Sequence, residues 1–153
     1  MRVLPLTEAK VSQAYPLAQL RHPRLSLEAW TQFAASHVTP ALPLERGILT
    51  AEDERGTIYA LLAYTIDPDL DHGRALIARE MIAAAPLRRT CSMMVAALVQ
   101  ETERLAREKH CMALRTHLGT MGQRRPERAL QAPLLADGHA PDHVMLCKTL
   151  IGH

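Results

Sequence analysis

Residues 81–94 read Met81-Ile82-Ala83-Ala84-Ala85-Pro86-Leu87-Arg88-Arg89-Thr90-Cys91-Ser92-Met93-Met94. The run opens apolar, as the end of a buried strand does. It breaks at Pro86, which has no N–H to give to a ladder. A polar turn follows. Then Met94, Leu98 and Leu105 mark a stripe at helical spacing, with Glu101, Glu103, Arg104, Arg107 and Glu108 largely outside it. The stretch therefore joins a strand, Arg74 to Ala84, to a long helix from about Ser92 to Lys109.

Upstream, Thr57 to Thr65 is apolar on both alternating faces. Ile58, Ala60, Leu62 and Tyr64 fall on one, and Tyr59, Leu61 and Ala63 on the other. A strand covered on both faces belongs mid-sheet, with helices on each side. Gly47 to Thr50 is a short apolar run, joined to that strand by the polar segment Ala51 to Gly56 as a hairpin. Asp67 to Gly73 is a turn. The chain begins with a short strand, Arg2 to Leu6, which Pro5 places at an edge. Thr7 has the character of an N-cap for a helix from about Glu8 to Leu20, and Pro16 is expected to kink or divide it. Ser26 caps a second helix, Leu27 to Ser36, in which Leu27, Trp30 and Phe33 recur at helical spacing.

Downstream, Cys111 to Thr116 is a strand and Gly119 to Gln123 a loop. Pro126 suits a first helical turn, Glu127 to Leu135 continues it, and Asp137-Gly138 closes it. Val144 to Leu150 is the last strand. This order predicts an α/β (α+β) fold in one domain spanning residues 1–153. Its central sheet is mixed and mostly antiparallel, with helices on both faces.

Composition narrows the function. The 153 residues suit one ordinary domain with a core of its own. One Trp, one Phe and three Tyr leave that core to Leu, Ala, Ile, Val and Met. The net charge is +2 with no basic stripe, which argues against nucleic acid as a partner. Arg124, Arg125 and Arg128 read as a solvated loop. Cys91, Cys111 and Cys147 are odd in number and lack a CxxC, which fits a reducing, cytoplasmic setting. The opening residues MRVLPLTEAK contain no apolar core of a secretory signal, and no run reaches the ~18 apolar residues of a membrane span.

The order of elements and the 81–94 junction together resemble the GNAT superfamily of acyl-CoA-dependent N-acyltransferases. Members commonly end a strand in an apolar residue, then place Pro, two residues, and Arg/Gln-x-x-Gly-x-Gly/Ala opening into a helix. Pro86 and Arg89 occupy the Pro and Arg positions, with Ser92 and Met94 where the glycine and the Gly/Ala belong. A register set on Arg88 puts Cys91 and Met93 there instead. Neither register restores a glycine. The resemblance implies acetyl-CoA as co-substrate, its pyrophosphate held by backbone N–H groups from Arg88, Arg89, Thr90, Cys91, Ser92, Met93 and Met94 at a helix N-terminus. It also implies an oxyanion donor on the backbone near Ile82, Ala83 and Ala84. Many members carry a late Tyr as the acid for the leaving thiolate. Here no Tyr follows Tyr64, so the acid is water or another group such as His139.

Acyl transfer to an amine needs a base for the ammonium proton and donors for the oxyanion. Glu80 is the candidate base, alternating with Ala78 and Ile82 just before the junction, with an ordered water as the alternative. The alternative for Glu80 is that it pairs with an arginine on a neighbouring strand or reaches solvent. Cys91, beside two arginines at a helix start, is either a reactive thiolate or a small packing residue. Asp137 to His143 and the group Asp69, Asp71 and His72 match no compact metal pattern, so no metal is expected. Trp30 and Phe33 are core residues or a wall of the acceptor site. The expected function is transfer of an acetyl group from acetyl-CoA to a small-molecule or peptide primary amine by direct attack. The rival is a catalytically degenerate domain of this type that binds acyl-CoA or a protein partner. A third reading is a ligand-free domain whose edge strands form a homodimer. No membrane partner is expected.

Overall fold

The computed structural model describes residues 1–38, 45–117 and 125–140, with only the backbone course given for 125–130. The loop expected at 119–123, the strand expected at 144–150, and Cys147, Asp142 and His143 lie outside the described residues. The elements run β1 (Arg2–Pro5), a 3₁₀ turn (Glu8–Lys10), α1 (Val11–Arg21), α2 (Leu27–Val38), β2 (Arg46–Glu52), β3 (Ile58–Asp69), β4 (Gly73–Ala83), α3 (Arg88–Glu108), β5 (Ala113–Thr116) and α4 (Arg125–Ala136). The described strands form one sheet in the order β1-β2-β3-β4-β5. All neighbours are antiparallel except β4 and β5, which run parallel. No helix among the described residues is long and apolar enough to cross a membrane.

β3 lies in the middle of the sheet, as its two apolar faces predict. Ala60, Leu62, Tyr64 and Ile66 pack with Met94, Val95, Leu98 and Val99 of α3 and with Leu134 of α4. Leu61 and Ala63 pack on the other face with Ala14, Leu17 and Ala18 of α1 and Trp30 and Ala34 of α2. Ile58 differs from the expected alternation. The register jumps from Ala51↔Ala60 to Glu52↔Ile58, so Tyr59 is a bulged extra residue and Ile58 joins the α1–α2 side. Gly47 pairs with Tyr64, and a Cβ there would meet the Tyr64 Oη at 2.7 Å. The phenol lies over the backbone where any larger residue would collide.

Several expected boundaries move for local reasons. Pro16 does not divide α1, which runs unbroken from Val11 to Arg21. Pro16 and Ser12, whose carbonyl loses its helical partner, both face solvent, so water can satisfy that oxygen. Thr7 precedes the 3₁₀ turn without a side-chain cap bond. Ser26 does cap α2: its Oγ accepts from the Ala29 N–H at 3.1 Å. The expected turn at 67–73 tightens, because β3 runs on to Asp69 and β4 starts at Gly73. Pro68 is tolerated there because β2 stops at Arg46, opposite Thr65, leaving that edge of β3 without a β2 partner. Asp69 Oδ1 closes the turn by accepting from the Asp71 and His72 N–H groups at 3.1 and 2.8 Å. Glu52, read as turn, ends β2 and is 1% exposed. Lys10 Nζ meets its Oε2 at 2.5 Å, and Thr50 Oγ1 donates to Oε1 at 3.1 Å.

Candidate functional site

β4 and β5 part company at one point. Their parallel pairing runs from Ala75↔Ala113 to Ala78↔Thr116, and the His117 N–H then donates to the Ala78 carbonyl at 2.8 Å. β4 continues to Ala83 beyond this fork, paired only with β3 among the described strands. At the fork the β3–β4 register jumps from Ala63↔Glu80 to Tyr64↔Ala78, so Arg79 is a bulged residue on β4. Its guanidinium bridges Thr65 Oγ1 (2.9 Å) and Asp67 Oδ2 (2.8 Å).

The bulge decides where Glu80 points. The sequence alternation put it on the face of Ala78 and Ile82 together. Ala78 instead belongs to the α3-side core, while Ile82 belongs to the α1–α2 side. The extra residue restarts the alternation after Ala78, so Glu80 shares the face of Ile82. Its Oε2 lies 3.2 Å from His22 Nε2 and 3.3 Å from Arg21 Nε, at the C-terminal end of α1, with its side chain 30% exposed. The ion-pair partner is thus an arginine on a helix rather than on a neighbouring strand.

Two histidines missed by sequence reasoning join this cluster, and a third borders it. His22 ends α1 and touches Glu80 directly. His117 follows β5 at the fork. Burial lowers its imidazole from the ordinary value, Arg79 and Arg115 push the same way, and Glu80 opposes them. His37, near the end of α2, packs on Phe33 with ring centroids 4.4 Å apart. Burial lowers it too, against its bond to the Phe33 carbonyl and with Arg46 and Arg79 reinforcing the burial. The signal for His117 was available: a titratable residue one step beyond the strand that neighbours Arg74–Ala84. His22 gave none, since it sits in a Pro-containing helix break. Trp30 is buried, with its Nε1 donating to the Val11 carbonyl at 2.7 Å, while Phe33 stays partly exposed.

The 88–94 segment is helix rather than loop. α3 begins at Arg88, with Leu87 at the N-cap in an extended conformation and no side-chain cap bond. The first intrahelical bond is Cys91 N–H to the Leu87 carbonyl at 3.0 Å. The N–H groups of Arg88, Arg89 and Thr90 precede it and point out of the helix start. Cys91, Ser92, Met93 and Met94 lie within the helix, where their amides serve the i−4 carbonyls. Met94 is 3% exposed in the core. Of the two readings of Cys91, the small packing residue fits: burial pushes its thiol up from the ordinary value, against a backbone bond from Ala85. On β4, the Ala84 N–H is already donated to the Tyr59 carbonyl at 2.8 Å. Backbone direction alternates along a strand, so Ile82 also faces β3, and Ala83 turns its N–H to the opposite edge.

Two further groups of titratable side chains are present among the described residues. Asp69, Asp71 and His72 bring ligand atoms within 4.8 Å of one another. Asp69 is committed to the turn amides and to an ion pair with Arg115, which is turn chemistry as expected. At the end of α4, His139 Nε2 lies 3.4 Å from Thr116 Oγ1, and His139 Nδ1 lies 3.7 Å from Asp137 Oδ2.

No protein-family model matches the sequence, and no curated protein matches it. Solved structures do match. An aminoglycoside antibiotic 6'-N-acetyltransferase from Acinetobacter baumannii superposes with a TM-score of 0.76 at 20% identity, over 99% of each chain. An aminoglycoside N-acetyltransferase in complex with CoA gives 0.72 at 10% identity, over 98% of this chain and 95% of that one. A ribosomal-protein-alanine N-acetyltransferase from Brucella melitensis biovar Abortus 2308 gives 0.68 at 14% identity, over 98% and 100%. At such identities the likeness speaks for the fold, and the fold is that of the GNAT acetyltransferases.

Proposed function

We propose that this chain, with its GNAT fold, transfers an acetyl group from acetyl-CoA to a primary amine by direct attack. The observation that carries the reading is Glu80, turned by the Arg79 bulge to the α1–α2 face at the point where β4 and β5 separate. The co-substrate's pyrophosphate fits the start of α3. Three outward N–H groups, on Arg88, Arg89 and Thr90, meet there with the positive end of a helix of 21 residues. Glycine is not needed for this, because each of those residues already presents its amide in ordinary helical geometry. The outward edge of β4 is the track for the extended arm, and the Ala83 N–H is the amide directed to stabilise an oxyanion. Glu80 receives the amine proton, either directly or through water, and Arg21 and His22 hold its carboxylate in place. The cytoplasmic setting and the amine acceptor belong to this reading.

A second reading is a binding domain without catalysis. The absence of glycine from residues 88–94 favours it, since side chains there can crowd a phosphate. Calorimetric titration with acetyl-CoA and CoA separates both readings from a ligand-free domain: micromolar binding is expected, and silence at millimolar ligand would sink both. Release of thiol with a panel of amines then tests catalysis. Glu80→Gln is expected to lower turnover roughly 10²-fold or more while leaving acetyl-CoA binding intact. An unchanged rate removes Glu80 from the mechanism.

A further inference from the structure

The sheet face that carries Glu80 also gathers arginines. Ile48 of β2 and Ala63 of β3 pack on the α1–α2 side. Side chains alternate along a strand, so Arg46, Thr65 and Asp67 face the same way. Arg46 and Thr65 are direct partners in the β2–β3 ladder. Arg79 reaches the same threonine from β4, with Nε on Thr65 Oγ1 and Nη2 on Asp67 Oδ2. Two arginines from different strands therefore flank Thr65. Asp67 and Thr65 hold the Arg79 fork by one edge. Its Nη1 makes no hydrogen bond among the described residues, and the side chain is 47% exposed. Arg46 is exposed and has no carboxylate partner among the described residues. The carboxylates of β3 and β4 on this face are already matched to cations: Glu80 to Arg21 and His22, Asp67 to Arg79, and Asp69 to Arg115. Arg46 and Arg79 both act on His37 of α2, and Arg79 and Glu80 both act on His117 at the fork. The two arginines thus lie between the end of α2 and the place where Glu80 stands.

We propose that the acceptor is a small amine bearing an anionic group, a carboxylate or a phosphonate, which Arg46 and Arg79 receive while its nitrogen faces Glu80. A free amino acid is the simplest such molecule. This rests on the acetyl-transfer reading above and names the acceptor class for it. Guanidinium groups suit the task because their planar N–H edges match the oxygens of both anions. The anion holds the acceptor in place and takes no part in the transfer. The same charges select against a polycation. An aminoglycoside would find the carboxylates already paired and would bring its additional ammonium groups up to arginines, a like-charge juxtaposition that costs affinity. Asp67 and Thr65 are positioning residues in this scheme, since they fix the direction of the Arg79 fork.

Matched amines test this on the intact protein, with thiol release from acetyl-CoA as the readout. The arms are amino acids, their carboxamides, the corresponding aminoalkyl phosphonates, and aminoglycosides. The better of the two anionic arms is expected to exceed the carboxamides in kcat/KM by roughly tenfold or more, the worth of one charge-assisted hydrogen bond. Which of the two leads identifies the anion. Arg46→Gln is expected to bring the ratio of acid to carboxamide down severalfold through KM, and Arg46→Lys to retain most of it. Carboxamides used as well as acids, aminoglycosides preferred to both, or an undiminished ratio in Arg46→Gln would each overturn the anion site and leave acetyl transfer standing. If no amine releases thiol, the transfer reading falls, and calorimetric titration of the acids and carboxamides at millimolar coenzyme A decides the anion site. Tighter binding of the acids supports it, and equal binding or none overturns it. Should circular dichroism show Arg46→Gln unfolded, salt carries the comparison in the wild type. The ratio of acid to carboxamide is expected to fall between about 0.05 M and about 0.5 M ionic strength, and a ratio indifferent to salt overturns the proposal.

Discussion

Glu52 shows how one side chain can be misread from sequence. Flanked by Asp53, Glu54 and Arg55, it belongs to a polar turn by composition, yet it is 1% exposed and closed by Lys10 at 2.5 Å. Removing one partner of such a pair leaves a buried charge, whereas removing both removes the problem. Lys10→Met is therefore expected to destabilise the protein by about 2–4 kcal/mol, near the low end because Lys10 is partly exposed. The double variant Lys10→Met/Glu52→Gln should recover most of that loss in urea unfolding. Additive losses would show that the pair is not coupled. Glu80 was legible as a carboxylate near the junction. Its partners were not, because Arg21 and His22 reach it from 58–59 positions away in the chain through the packing of α1 on the sheet. Cys91 was legible as the start of a helix, but its burial, which pushes the thiol up, was not.

At the scale of elements, periodicity located every described strand and helix, and boundaries were what it missed. The start of α3 is the case that matters. A polar, glycine-free run after Pro86 reads as turn, but Leu87 is extended and Arg88 already helical, so the outward amides of the helix start lie before the residues that a glycine motif would have marked. This can be tested with a proline. At the first helical position proline keeps the helix and removes only the N–H. Leu87, at φ −113° and ψ 132°, already has the conformation that a following proline imposes. Arg88→Pro is expected to match Arg88→Ala in melting temperature. It should bind coenzyme A roughly tenfold more weakly than Arg88→Ala, the worth of one charge-assisted hydrogen bond. Equal affinities would show that the Arg88 amide does not touch the ligand.

For the whole molecule, the fold was legible because two signals agreed: the two-faced strand β3 and the alternation of elements around it. The surroundings of Glu80 were not, because they depend on a bulge and a fork that leave no periodic trace. The histidines add a global property. His37 and His117 both have imidazoles lowered from the ordinary value of 6.5. The unfolded chain therefore takes up their protons more readily than the folded one. Their contribution is fully present above that value and is lost as pH falls below it. Melting temperature is expected to drop between about pH 7.5 and pH 5.5, and the double variant His37→Gln/His117→Gln should flatten that slope. Glu101, held down by the Arg104 guanidinium, acts in a separate window below about pH 4.5. A flat profile in the wild type would show that these imidazoles are ordinary.

The single extra residue in β4 also bears on how such chains diverge. Because Arg79 is the extra residue of a bulge, β4 on either side of it keeps the alternation of a strand one residue shorter. Deleting it would leave Ala63↔Glu80 and Tyr64↔Ala78 as consecutive pairs, with Ala78 still on the α3 side and Glu80 and Ile82 still on the α1–α2 side. What the deletion removes is the bridge from Arg79 to Thr65 and Asp67. When this chain is aligned with one that lacks the bulge, leaving out the gap at Arg79 will pair Glu80 with a residue of the α3-side core and hide the correspondence.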